Sequence, residues 1–149
     1  MSMPNEKPQN LQNHTRLVPL FHMFVLPVLL INAVTMIVRL VRFGISFRTV
    51  LDLLMGFALL LAALYGRTFA MTVQDRVIRL EMRLRLAEVL SADLRARIPE
   101  FTVGQLISMR FASDAELAAL ARKVLDEKMS DRKAIKRLVK DWQGDYLRA

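Results

Sequence analysis

The sequence predicts an all-α membrane protein: a two-helix transmembrane hairpin, a long exit helix and a small cytoplasmic helical tail. Three observations predict it. Long apolar runs crowd into residues 17–66, whereas residues 67–149 hold 17 of the 22 Lys+Arg and 12 of the 14 Asp+Glu. Hydrophobic residues reach 54%, above the usual share, while charged residues still reach 24%, so the two characters are segregated along the chain. Glycine and proline number five each, and alanine, leucine, arginine and glutamate are abundant, which favours helix throughout.

Residues 1–13 read as a flexible polar N-terminal tail with Pro4 and Pro8. The hairpin occupies 14–66, with spans at about 17–38 and 47–66. The first span, "LVPLFHMFVLPVLLINAVTMIV", has 22 residues and no formal charge. That crosses ~30 Å of hydrocarbon at ~1.5 Å per residue. Pro19 falls near its start, and Pro27 inside it predicts a kink. A cleaved signal peptide is disfavoured: the run exceeds an h-region, only Lys7 and Arg16 precede it, and "INA" before Val34 is a poor cleavage site.

Residues 39–48 form a connection with Arg39, Arg42, Arg48 and Gly44. The second span has an uncharged centre, Leu53–Gly66. Arg48 and Asp52 lie near one interface and can pair, Arg67 snorkels at the other, and Tyr65 suits an interfacial ring. On the terminal side stand Lys7, Arg16, Arg67, Arg76, Arg79 and Arg83, which outnumber the loop's three arginines. The positive-inside rule then puts both termini in the cytoplasm.

The exit helix spans 67–98. Val73, Val77, Leu80, Leu84, Ala87 and Leu94 follow the 4-3-4-3 spacing of a coiled coil, broken once at Ser91. Ile78, Met82, Leu86 and Val89 widen the stripe. Asp75–Arg79, Glu81–Arg85 and Asp93–Arg97 are acid-before-base pairs four apart, and Pro99 ends the helix.

The tail, 99–149, opens with a short helix over "TVGQLISMRF". Ser113 and Glu116 have the S-x-x-E form of a capping box, and Ser130 offers a cap for a last helix. In that helix Ile135, Leu138, Val139 and Trp142 share one face, and Lys133, Lys136, Arg137 and Lys140 the other.

Catalytic constellations do not emerge. The chain has no cysteine, which excludes disulfides, thiolate metal sites and cysteine nucleophiles. It has no phosphate-binding glycine loop, no G-x-S-x-G and no H-E-x-x-H. His14 and His22 lack companion ligands and read as a polar flank and an interfacial residue. No enzyme, cofactor or metal is therefore expected.

Asp52 invites a transport role, but the macrodipole of its helix and Arg48 give it a structural one. Asn32 and Thr35 read as makers of interhelical hydrogen bonds. Ala58, Ala62 and Gly66, four apart, read as a close-packing face for the first span or for another copy. The nine methionines read as filler. The basic stripe reads first as a solvated face and next as a lipid contact, at ~1 kcal/mol per basic residue. Nucleic acid comes third, because Trp142 sits on the opposite face and offers no stacking platform.

The stretches "QNHTRLVPLFH", "QDRVIRLEMRLRL", "QLISMRFASDAEL" and "IKRLVKDWQGDYLRA" resemble an uncharacterised bacterial family of small two-span membrane proteins, a family of unknown function. The resemblance covers about 9–149. It implies a two-span hairpin with a cytoplasmic helical tail in the bacterial inner membrane, and it implies no activity. Arg76, Arg79, Arg110, Asp114, Trp142 and Asp145 are its candidate tail signature, read as helix packing: Asp114 capping, Arg110 bridging helices, Trp142 in a small core.

The expected function is non-catalytic. The protein reads as a scaffold or accessory subunit that uses its exit helix (Val77, Leu80, Leu84) and basic helical tail, with membrane lipid and a protein partner or second copy as partners. The rival is a subunit of a transporter or channel-like assembly using Asp52, Asn32 and His22. A third reading is a membrane-tethered binder of anionic lipid or nucleic acid.

Overall fold

The computed structural model describes residues 8–13 and 17–146, and among these it has helices and no strand. The chain divides into two units: residues 17–71, and residues 72–146 together with 8–13.

In the first unit, a π-helical turn, Leu20–Val25, runs directly into helix α1, Leu26–Phe43. Pro27 accounts for the change of register. It lacks an N–H and its ring crowds the carbonyl four residues back. The Leu26 N–H accordingly donates to Phe21 O, five residues back. The irregularity expected at Pro27 is thus a wide turn just before it.

Helix α1 runs five residues past the expected Val38. Gly44 stops it at φ 78°, in the left-handed region that glycine tolerates. The connection is therefore residues 44–46 rather than 39–48, and Arg39 and Arg42 ride on α1 itself. Helix α2, Phe47–Val89, starts where expected. Ser46 caps it reciprocally: Thr49 N–H donates to Ser46 Oγ at 3.2 Å, and Ser46 N–H donates to Thr49 Oγ1 at 2.9 Å.

The two helices meet at small residues. Ala33 and Gly56 are both buried, and a Cβ added at Gly56 would stand 3.0 Å from Asn32 Oδ1 and 4.0 Å from Ala33 Cα. Leu29, Ala33, Met36 and Leu40 line the covered side of α1 at spacings of four and three, while Leu30, Ile31, Val34 and Val41 are exposed. Both helices are long and apolar enough to cross a membrane. Thr35 does not reach across; its Oγ1 donates to Ile31 O of its own helix at 2.8 Å. The expected Arg48–Asp52 pair is not among the ion pairs of the described residues.

In the second unit α2 continues to Val89 and stops at Ser91, which is extended at ψ 159°. The expected single exit helix, 67–98, is thus the end of α2, a short α3 (Ala92–Arg95) and a 3-10 turn (Ile98–Glu100) holding Pro99. The break falls where Ser91 interrupts the apolar spacing. Helices α4 (Val103–Met109), α5 (Asp114–Asp126) and α6 (Arg132–Leu138) complete the unit.

The core takes Ile78, Met82, Leu86 and Leu90 from α2, with Leu106, Leu117, Val124 and Ile135 from the helices after it. Each such side chain contributes about 1.5–3 kcal/mol on burial.

The caps differ from expectation. The capping box forms at Thr102 and Gln105: Thr102 Oγ1 accepts from Gln105 N, and Gln105 Oε1 accepts from Thr102 N at 2.7 Å. Buried Gln105 also donates to Met129 O at 2.8 Å, tying α4 to the α5–α6 connection. The predicted Ser113–Glu116 box does not form. Ser113 Oγ is buried without a partner, and the Glu116 carboxylate accepts from Lys140 N and Asp141 N at 3.0 and 3.1 Å. Asp131, not Ser130, caps α6 by accepting from Lys133 N.

Helix α6 ends at Leu138, because Val139 is extended and the chain doubles back. The returning segment pairs with residues 111–113: Gln143 N donates to Phe111 O, Ser113 N donates to Asp141 O, and Ala112 and Trp142 form an isolated bridge. Trp142 therefore does not continue the face of Ile135.

Candidate functional site

The tail's densest arrangement of polar and aromatic groups surrounds residues 110–114, the turn between α4 and α5. Phe111 is fully buried and stacks on Trp142, with centroids 4.4 Å apart and planes 15° from parallel. The Arg110 guanidinium lies 4.1 Å from the Phe111 centroid, and Lys136 Nζ lies 5.4 Å from it. Arg110 Nε donates to Asp145 Oδ2 at 2.9 Å, and its NH1 donates to Ile107 O. Its side chain is only 8% exposed, so the carboxylate is what makes its burial tolerable.

Arg85 reaches the same turn from α2. Its Nε donates to Asp114 Oδ1 at 2.7 Å, NH2 to Ala112 O at 2.7 Å and NH1 to Arg110 O at 3.2 Å. The fork geometry of guanidinium serves one carboxylate and two carbonyls at once.

The structure thus gathers four of the six signature candidates: Arg110, Asp114, Trp142 and Asp145. Asp114 pairs with Arg85 beyond its place in the first turn of α5, and Trp142 packs beside the turn. Arg76 and Arg79 lie exposed on α2, outside the cluster. Arg85 and Phe111 are the members that sequence reasoning missed. Nothing distinguished Arg85 from its four arginine neighbours, and its expected partner was Glu81. Asp93 likewise pairs with Arg122 at 2.8 Å, and Arg97 with Glu100 and Asp126, in place of one another. Neither Glu81–Arg85 nor Asp75–Arg79 is among the ion pairs of the described residues.

Beside the cluster lies an open cleft of ≈ 200 Å³ lined by Ile78, Glu81, Met82, Arg85, Arg110 and Asp145, among others. That is below the usual range for small-molecule sites, and Arg85, Arg110 and Asp145 already satisfy one another or the backbone. The cluster is built as a packing joint. The Ser91 hydroxyl, then Arg122, hold the Asp93 carboxyl down at about 2 from its ordinary 3.8. Glu100 and then Asp126 raise Arg97 further above its ordinary range.

The other candidates are placed separately. Ala58, Ala62 and Gly66 are exposed, and nothing lies within 4 Å of a Cβ added at Gly66, so α1 does not occupy that face. Val77, Leu80 and Leu84 are also exposed, together with Val73. The second apolar line of the helix, Ile78, Met82 and Leu86, is the one turned into the core. Lys133, Arg137 and Lys140 are exposed, whereas Lys136 is half-buried over Phe111. Asp52 is half-buried on α2. His22 Nδ1 sits 2.9 Å from Val18 O and 3.2 Å from Val18 N, closing the start of its helix. His14 lies outside the described residues. Among those described, no three His, Asp or Glu side chains converge as metal ligands.

The family of unknown function DUF6526 matches residues 3–149, and the chain belongs to that family. No curated protein and no solved structure matches it.

Proposed function

We propose that this protein is a non-catalytic integral membrane protein, a scaffold or accessory subunit that binds another protein or a second copy through the end of α2 and its helical tail. The observation that carries the reading is the apolar stripe Val73, Val77, Leu80 and Leu84, exposed on a helix whose opposite face is already packed. Exposed aliphatic side chains at regular helical spacing are costly in water and mark an interface.

Two long apolar helices, greasy outside and small-sided within, support crossing of a bilayer. Residues 8–13 share a unit with the tail, which supports placing both ends on one side. The basic balance then favours the cytoplasm, and the family resemblance favours a bacterial inner membrane. Photo-crosslinking in native membranes from Leu84, and separately from Lys136, tests the reading. Capture of a distinct protein or of a second copy is expected; a chain that captures neither overturns it.

A second reading has one observation in its favour. Lys133, Arg137 and Lys140 are exposed and take part in no ion pair among the described residues. Replacing all three by glutamine then weakens binding to anionic vesicles steeply at low salt. Unchanged vesicle binding removes that reading.

A further inference from the structure

The stripe that carries the proposed function also specifies what covers it. In heptad terms Val77 and Leu84 occupy a positions, and Val73, Leu80 and Ala87 occupy d positions. Val77 is 49% and Leu80 61% exposed, so the seam is open. The intrachain core uses Ile78, Met82, Leu86 and Leu90, on the far side of α2. A partner on the stripe therefore displaces none of these core residues. The a and d positions mix valine, leucine and alanine, so the apolar seam itself does not set the orientation.

The flanking charges decide the partner. The e positions are Gln74, Glu81 and Glu88, and the charged g positions are Arg76 and Arg83. One edge of the stripe is acidic and the other basic. In a parallel, in-register pair each g residue faces the e residue five positions later on the other helix. Arg76 then meets Glu81 of the other copy, and Arg83 meets its Glu88, each twice by symmetry. An antiparallel pair would set arginine against arginine and glutamate against glutamate.

Among the described residues these four charges, Arg76, Glu81, Arg83 and Glu88, have no ion-pair partner, and Arg83 Nε is covered without a hydrogen-bond partner. Arg85, which lies between them on α2, is by contrast paired with Asp114. Two copies inserted in one membrane with one topology also bring their α2 helices together parallel.

Resting on the scaffold reading, we infer that the stripe's occupant is a second copy of this chain, packed parallel and in register over residues 73–88 through Val73, Val77, Leu80 and Leu84, with Arg76–Glu81 and Arg83–Glu88 pairs between copies.

The chain has no cysteine, so disulfide capture is clean. Leu80→Cys in the full chain, oxidised in native membranes, is expected to give a band at twice 17.1 kDa, while Arg79→Cys, exposed and off the seam, gives none. Adding Arg76→Glu with Arg83→Glu, or Glu81→Lys with Glu88→Lys, to Leu80→Cys cuts the yield roughly tenfold in either chain alone. Co-expressing the two restores it as a mixed pair. Unchanged helical circular dichroism excludes misfolding as the cause of either loss.

A yield indifferent to the charge exchanges, or no symmetric band, overturns the inference. If the band is absent while a photo-reactive residue at Leu84 captures a different protein, the second copy fails and the accessory-subunit reading stands. Capture of lipid alone fails both.

Discussion

Arg85 Nε stands 2.7 Å from Asp114 Oδ1, yet the larger part of this contact is the backbone beside it. The Asp114 side chain is 68% exposed, so the ion pair is worth a few tenths of a kcal/mol. The two carbonyls, Ala112 O and Arg110 O, are the acceptors that a lost guanidinium would strand. Arg85→Ala is therefore expected to destabilise the tail by about 1–2 kcal/mol, and Asp114→Asn by about 0.5 kcal/mol or less. Trp142 is the only tryptophan, so its fluorescence during urea unfolding measures both.

The opposite ordering is expected at the buried pair. Asp145→Ala removes the carboxylate that the largely enclosed Arg110 Nε donates to. A cost of about 3 kcal/mol is expected, the low end for broken buried pairs because Asp145 retains some exposure. The same fluorescence measurement should show Asp145→Ala exceeding Asp114→Asn several-fold in free energy.

Gly56 and Gly66 separate the covered side of α2 from its open side. Gly56→Leu drives a branched side chain into Asn32 and α1, and is expected to cost about 1–3 kcal/mol. Gly66→Leu meets no atom of the same chain within 4 Å of its Cβ and is expected to leave the hairpin's stability unchanged or raised. Thermal melting by circular dichroism in detergent discriminates them.

Lys128 holds φ 48° just after α5. Lys128 N donates to Leu125 O and Met129 N to Val124 O, the two bonds of a Schellman turn that glycine normally closes. Lys128→Gly is expected to stabilise the tail by about 1 kcal/mol, read as a rise in urea midpoint.

Asp93 provides the pH dependence. Its carboxyl falls from 3.8 to about 2 on folding, through Ser91 first and Arg122 second. A depressed carboxyl contributes stability that is full above the unfolded value and is lost as pH falls through the folded one. The loss therefore lies between about pH 4 and pH 2. Asp93→Asn should flatten that part of the acid-unfolding curve while leaving neutral-pH folding intact.

Much of the architecture was legible, and the misses have physical causes. Apolar runs and helical spacing located α1 and α2, because burial and length are properties of single segments. The S-x-x-E pattern misled because Glu116 finds two free N–H groups on the returning segment, and a sequence window cannot see 24 residues ahead. The exposed pairs Glu81–Arg85 and Asp93–Arg97 misled for the same reason, since each local bond is too weak to resist a better distant partner. Phe111 and Trp142 come together only once α6 stops at Leu138. Nothing in "RLVKDWQ" announces that stop, which contains neither glycine nor proline before it.

Gln9 and Asp145 exchange two hydrogen bonds of 3.0 Å, side-chain amide to carbonyl and backbone N–H to side-chain oxygen, and the Tyr146 hydroxyl accepts from Gln9 N at 3.4 Å. The two residues lie on opposite sides of the two long apolar helices in the sequence. Under the proposed topology it closes only in a chain that has threaded the bilayer an even number of times. In that arrangement a chain with one helix left uninserted would strand Gln9 and Asp145 on opposite sides of the lipid. Under that topology the clasp would be a parity check on insertion, readable as the joining of Gln9 to Asp145.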